Sequence, residues 1–246
     1  MEKNRIKFEF LVHDLKVPLA VIEAGLLSLL NKQDKYGPLT DRQVKVLERA
    51  LRNTIITRTL VNDTLEIGRS SQGIISKNRF NLSAFLLGTL VEILDLNDHE
   101  VAEKVKMSAT LSEFKKNIAL RGIYLDLEDA IWETEICMDE SKSKQILRNL
   151  LINALKYRKS RVDLKVDIIS HQLLIAVRDD GEGIPADYHD RIFECYFQMD
   201  AKNSSCVRGH GLGLAGVQVL LEDMGGRLSL DSDVGKGATF LVKIPF

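Results

Sequence analysis

The chain has 246 residues, enough for one large domain or two modest ones. A hydrophobic fraction of 45% with 28% charged residues excludes a disordered chain. With 34 Lys and Arg against 35 Asp and Glu, the formal charge of −1 excludes a general pull toward nucleic acid or anionic membranes. The three cysteines, Cys137, Cys195 and Cys206, form no CxxC pair, which argues against a disulfide framework and a Cys-based zinc site. The most apolar stretch, 82–94, is interrupted by Ser83, Thr89 and Glu92 and falls short of the roughly 20 residues that a bilayer demands. The opening MEKNRIKFEF has no apolar signal core, so a cytoplasmic chain is expected, alone or as the cytosolic part of a larger membrane protein.

The first seventy residues read as two helices. Phe8, Val12, Leu15, Leu19, Ile22, Leu26 and Leu29 recur at alternating spacings of four and three, a heptad seam filled with large apolar side chains. Leu11, Leu27 and Leu30 widen that stripe to the breadth of a helical bundle. Tyr36-Gly37-Pro38 breaks the first helix, and Thr40-Asp41 can cap a second over about 42–68, with Val44, Leu47, Leu51, Ile55, Val61 and Leu65 as its core face. A hairpin with one broad stripe per helix cannot bury it alone. Two copies forming a four-helix bundle are the simplest solution, so a homodimer is expected.

Residues 70–78 are polar and contain Gly73, and they read as a linker. The expected division is a helical hairpin over 1–70, a linker over 71–79 and a mixed domain over 80–246. Ser83 is expected to cap a helix through Leu94 that resumes before Arg121, and Ser141 one over 142–157. Val162, Leu164, Val166 and Ile168 alternate with Asp163, Lys165 and Asp167 as in a half-buried strand, and 173–177 is a continuously apolar strand. A helix over 214–224 stops at Gly225-Gly226. Strands over 227–231 and 238–244 are joined by the turn DVGKG. The fold class is α+β: a helical hairpin followed by an α/β sandwich.

Five short stretches carry chemistry: RNLLINALKY (148–157), RDDGEGIP (178–185), RIFECYFQ (191–198), GHGLGL (209–214) and GKGATF (235–240). Each alone is weak; their order and spacing together are not. Asn149 and Asn153 lie four apart on one helix face, and an amide carbonyl is a neutral, hard ligand suited to Mg²⁺ that already carries phosphate oxygens and water. Such a pair is also compatible with plain solvent exposure. Asp179, at the end of the apolar strand and before Gly181 and Gly183, can accept a hydrogen bond from an adenine amino group. GHGLGL runs into a helix, so free amides and the helix dipole can face a phosphate, while the polar segment 199–208 reads as a lid. His99, His171 and His189 read as solvated, and His210 as a phosphate contact or a spacer.

This set resembles the ATP-binding domain of sensor histidine kinases. RNLLINALKY is similar to their N box, DDGEGI to the first glycine box, RIFECYF to the F box, GHGLGL to the second glycine box and GKGATF to the last. FLVHDLKVPL (10–19) resembles their H box, which makes His13 the implied phosphoacceptor, with Asp14 orienting its imidazole. His13 follows the seam residue Val12 and so lies off the seam, and Pro18 removes a helical bond to the Asp14 carbonyl. The resemblance implies ATP and Mg²⁺ as cofactors, autophosphorylation of His13, a homodimer, and onward transfer to an aspartate of a response-regulator receiver domain. It assigns nucleotide contacts to Asn149, Asn153, Lys156, Tyr157, Asp179, Gly181, Gly183, Gly209, Gly211, Leu212, Gly213 and Thr239, and Mg²⁺ to Asn153.

Three departures from the family pattern stand out. Val17 replaces a Thr or Asn that would help dephosphorylate the regulator, so weak phosphatase activity is expected. Gln198 stands where many members have a phosphate-binding Arg, and 83–121 is longer than usual, which suggests an added helix or loop. Two rival readings are a gyrase-type ATPase or serine kinase of the same fold, and a non-catalytic dimeric scaffold. Gyrase-like relatives place a catalytic Glu one turn before the N-box Asn. Here that position is Asn149, which cannot act as a base.

Overall fold

The computed structural model describes residues 2–70, 75–95, 98–194, 197 and 212–246, with side chains described outside 2–14, 56, 59–60 and 62–70. The chain divides into two compact units, Met1–Arg69 and Ser70–Phe246.

The first unit is helical: α1 (Glu2–Asn31), the single turn α2 (Gln33–Tyr36) and α3 (Asp41–Ser70). Gly37, with φ +89°, takes the chain out of α2 in a conformation that side chains other than glycine's resist. Thr40 then caps α3 reciprocally. Its hydroxyl accepts from the Gln43 amide at 3.3 Å, while Gln43 Oε1 accepts from the Thr40 amide at 2.9 Å. Arg58 of α3 reaches Glu23 of α1 at 2.6 Å. Among the described residues, the heptad seam is only partly covered within one chain. Leu19, Leu26 and Leu29 are half-buried, but Leu15 is 43% and Ile22 50% exposed. No described helix is long and apolar enough to cross a membrane.

The second unit runs β1 (Asn78–Asn81), α4 (Leu82–Asp95), α5 (His99–Lys106), α6 (Leu111–Ala119), β2 (Ile123–Asp126), α7 (Asp129–Trp132), β3 (Glu135–Met138), α8 (Glu140–Tyr157), β4 (Val162–Ile169), β5 (Gln172–Asp179), α9 (Gly213–Asp223), β6 (Arg227–Ser232) and β7 (Ala238–Pro245). A mixed sheet has the order β2-β4-β5-β7-β6, in which only β2 and β4 run parallel, and β1 pairs separately with β3. Alternate residues of the sheet, Val162, Leu164, Ile175, Val177, Val242 and Ile244, are almost fully buried. They share one core with Leu147, Leu150 and Leu151 of α8, Phe85, Leu86 and Leu90 of α4, and Phe114 and Ile118 of α6. This period of two on the strands and three-to-four on the helices is what buries one face of each element.

Several local expectations are corrected. Ser83 does not cap α4: the helix begins at the fully buried Leu82, and the Ser83 hydroxyl is itself buried and donates to Glu133 at 3.3 Å. Ser141 does not cap α8: Asp139 does, one carboxylate oxygen accepting from the Lys142 amide and the other from Ser76, each at 3.0 Å. Asn78 and Arg79, expected in the linker, are paired in β1 with Met138 and Cys137. The long 83–121 segment carries two further helices, α5 and α6, capped by Asp98 and Thr110.

Candidate functional site

The site grows from the end of β5. The pleat directs Asp179 to the same side as Val177, the side that α8 covers, and leaves it only 5% exposed. Burial pushes its carboxyl above the ordinary carboxylate value, opposed by the backbone at Gly181 and Ala238. One oxygen accepts from the Gly181 amide at 2.9 Å.

Two glycines make room around this carboxylate. Gly181 lets the turn lie against the Tyr157 carbonyl at the end of α8, where a Cβ would collide. Gly237, with φ +78°, does the same under the Asp179 carbonyl. The first and last glycine boxes are thereby zipped together. Ser232 Oγ accepts from the Ile184 amide at 2.9 Å and donates to the Gly237 carbonyl at 2.7 Å, and the Gly235 amide donates to the Glu182 carbonyl at 2.6 Å. Gly183 has φ +74° and sits against the Asp233 carbonyl.

The N box supplies the facing wall. Asn149 and Asn153 are both half-buried on one face of α8. The Asn149 amide donates to the Gly213 carbonyl at 3.3 Å, so it holds the first turn of α9. Lys142 and Asp223 pair at 2.7 Å toward the other end, which sets α8 and α9 antiparallel. The Asn153 side-chain amide makes no hydrogen bond to a described residue. An amide oxygen on a helix whose end packs against the turn that follows a buried carboxylate suits a divalent cation that already carries phosphate oxygens.

The expected site residues sort as follows. Asp179, Gly181 and Gly183 share one turn set against the end of α8, the helix that carries Asn149 and Asn153, and Asn149 reaches Gly213 at the start of α9. Leu212, 3% exposed, is a packing residue just before that helix. Lys156 and Tyr157 end α8 exposed to solvent, and the Lys156 ammonium sits 3.0 Å from the Tyr157 hydroxyl. Thr239 stands on the other face of the sheet. It pairs with the exposed Arg178, so the pleat turns Ala238, not Thr239, toward the Asp179 side. His13 and Asp14 lie on α1 in the first unit, with side chains outside the described residues; Gly209, His210, Gly211, Gln198 and the segment 199–208 also lie outside them. His189, expected to be solvated, is half-buried with Nε2 2.9 Å from the Ile184 carbonyl. Asp180, Ser232 and Gly237 were not singled out by the sequence. The positive φ of Gly237 had a signal in the GKG turn; the pairing of Asp180 had none.

Residues 138–246 match the family described as histidine kinase-, DNA gyrase B- and HSP90-like ATPases. Nearly the whole chain, 98% of it, is 31% identical to the circadian input-output histidine kinase CikA of Synechococcus elongatus and 23% identical to the sensor protein SrrB of Staphylococcus aureus. It spans 30% and 38% of those two relatives' lengths. Among solved structures, full-length ShkA in complex with AMPPNP superposes with a TM-score of 0.65 at 26% identity, covering 98% of this chain and 45% of that one. The Acinetobacter baumannii histidine kinase AdeS shares the fold at a TM-score of 0.56 and 17% identity, covering 95% of this chain and 97% of that one. Residues 138–246 thus carry the ATPase domain of this family, and over nearly its whole length the chain is similar to proteins named histidine kinase or sensor protein.

Proposed function

We propose that this chain binds ATP with Mg²⁺ between α8 and the β5 turn and transfers the γ-phosphoryl group to a ring nitrogen of His13, from which it passes to an aspartate of a response-regulator receiver domain. The observation that carries the proposal is the buried Asp179 facing the N-box helix, in a chain whose first helix bears the HDxxxP pattern. Asp179 accepts from the adenine amino group. Asn153 holds the cation through its amide oxygen, and Asn149 keeps the α9 start beside it. Mg²⁺, when bound, offsets the charge of the phosphates. His13 is the nucleophile. Asp14 orients the imidazole and holds the proton on its other nitrogen, which raises its nucleophilicity.

Gyrase-like hydrolysis is disfavoured because Asn149 occupies the place of the water-activating Glu and spends its amide on the Gly213 carbonyl. A purely structural scaffold is disfavoured by the intact Asp179 and Asn153. The experiment is incubation of the full chain with γ-labelled ATP. Acid-labile label should appear on the wild type and vanish in His13→Ala, while nucleotide affinity stays nearly unchanged because acceptor and ATP site lie in different units. Stable label on His13→Ala would refute the assignment. Steady phosphate release without a labelled protein would favour the hydrolase reading, and no adenine-nucleotide binding the scaffold.

A further inference from the structure

The nucleotide site has two halves on separate elements: Asp179 on the β5 turn, and Asn153 on α8, one helical turn before its end at Tyr157. Something must fix the distance between them. Beside Asp179, the Asp180 carboxylate faces the loop that leaves α8. Its Oδ1 accepts from the amides of Lys159 at 2.8 Å, Ser160 at 3.0 Å and Arg161 at 3.0 Å, and Oδ2 accepts from the Ser160 hydroxyl at 2.7 Å. The Asp180 amide donates to the Arg161 carbonyl at 3.3 Å, so the two segments grip each other in both directions. Three consecutive amides converging on one carboxylate form a backbone nest, an anion seat that here is filled from within the chain.

The gripped loop is braced from behind. Arg158 Nη1 donates to the Arg121 carbonyl at 2.5 Å, the Val162 amide to the Gly122 carbonyl at 2.8 Å, and Gly122, φ +67°, lets the Ser160 carbonyl approach where a Cβ would collide. Directly above, Gly181 lies against the Tyr157 carbonyl. The end of α8 is therefore clamped to the 179–181 turn at two successive points, one a close steric contact and one a set of charge-assisted hydrogen bonds.

We propose that Asp180 is a positioning residue for the nucleotide site: by gripping residues 159–161 it holds the end of α8, and with it Asn153, at a fixed distance from Asp179. This rests on the nucleotide reading above and assigns Asp180 no contact with the ligand. A ligand that touches only the Asp179 half should not feel loss of the clamp, whereas one that spans both halves should.

The test compares wild type, Asp180→Ala and Asp180→Asn in the full chain, with adenosine and with Mg²⁺·ATP as separate ligands in calorimetric titrations, and with melting temperatures alongside. Asp180→Ala should weaken Mg²⁺·ATP by about tenfold or more while changing adenosine by less than about twofold. Asp180→Asn keeps one acceptor oxygen for the Lys159 and Arg161 amides and should fall between. If Asp180→Ala shows no cooperative melting, Asp180→Asn is judged against wild type by the same ratio. Equal weakening of both ligands would mean general collapse of the turn and would overturn the inference, as would no weakening of either. A wild type that binds neither ligand would instead sink the nucleotide reading itself.

Discussion

Two adjacent carboxylates at the end of β5 are pushed in opposite directions by their surroundings. Burial raises Asp179, whereas the backbone amide of Arg161, then the hydroxyl and amide of Ser160, hold Asp180 well below the usual carboxylate range. The signs give different pH behaviour. Asp180, being depressed, contributes stability that is present above its unfolded value of about 3.9 and is lost as pH falls through its folded value. Asp179, being raised, favours the folded state only while protonated, and that contribution is lost as pH rises through its folded value. In the proposed role, Asp179 accepts from adenine in its ionised form. ATP affinity should therefore fall on acidification from neutral pH, and earlier than for a solvated aspartate. Asp179→Asn should remove this dependence and weaken ATP by about 10- to 150-fold, the loss of one buried charge-assisted hydrogen bond. Titrations across that pH range check both statements; wild-type affinity in Asp179→Asn would refute the placement of Asp179.

At the scale of elements, α8 joins the parts of the site, and its start is as well anchored as its end. Asp139, 6% exposed, caps the helix through the Lys142 amide and ties down the strand entry through the Ser76 amide. Asp139→Ala should lower stability by roughly 1–2 kcal/mol, read as a drop in melting temperature, and Asp139→Asn should recover most of it because one acceptor remains. The sequence held part of this arrangement. Strand β5 was legible because an apolar run ends on Asp179, and α8 and α9 because their apolar periodicity is long. The caps were misplaced because Ser83, Ser141 and Asp139 all suit a helix start, and burial rather than propensity chooses among them. Strands β1, β2 and β3 have four residues each, too few for alternation to register. Thr239 was assigned a nucleotide contact through the last glycine box, but the period of β7 is set by Ala238, Phe240, Val242 and Ile244 packing inward, which turns Thr239 to the other face. The Asp180 clamp joins residues about twenty positions apart through backbone amides, which no side-chain pattern encodes.

At the scale of the molecule, each unit has its own problem to solve. The α/β unit buries a complete core from its own residues. Among the described residues of the helical unit, the seam residues Leu15 and Ile22 of α1 are 43% and 50% exposed, and Leu27, which widens the stripe, is 40% exposed. Leu19 and Leu26 lie half-buried on the same seam. A second copy presenting the same stripe would cover it with closed two-fold symmetry. On this argument the wild-type chain should be a dimer in dilute solution, and Leu19→Asp or Leu26→Asp should split it, because a carboxylate forced into the bundle interior costs several kcal/mol, on the order of the penalty for an unpaired buried charge. The separated monomer should still bind ATP as the wild type does, since the match to the ATPase family lies wholly in 138–246, outside the helical unit. Light scattering measures the first outcome and calorimetry the second. A monomeric wild type would contradict the four-helix bundle, and a Leu26→Asp monomer that has lost ATP affinity would show that the two units are not independent for nucleotide binding.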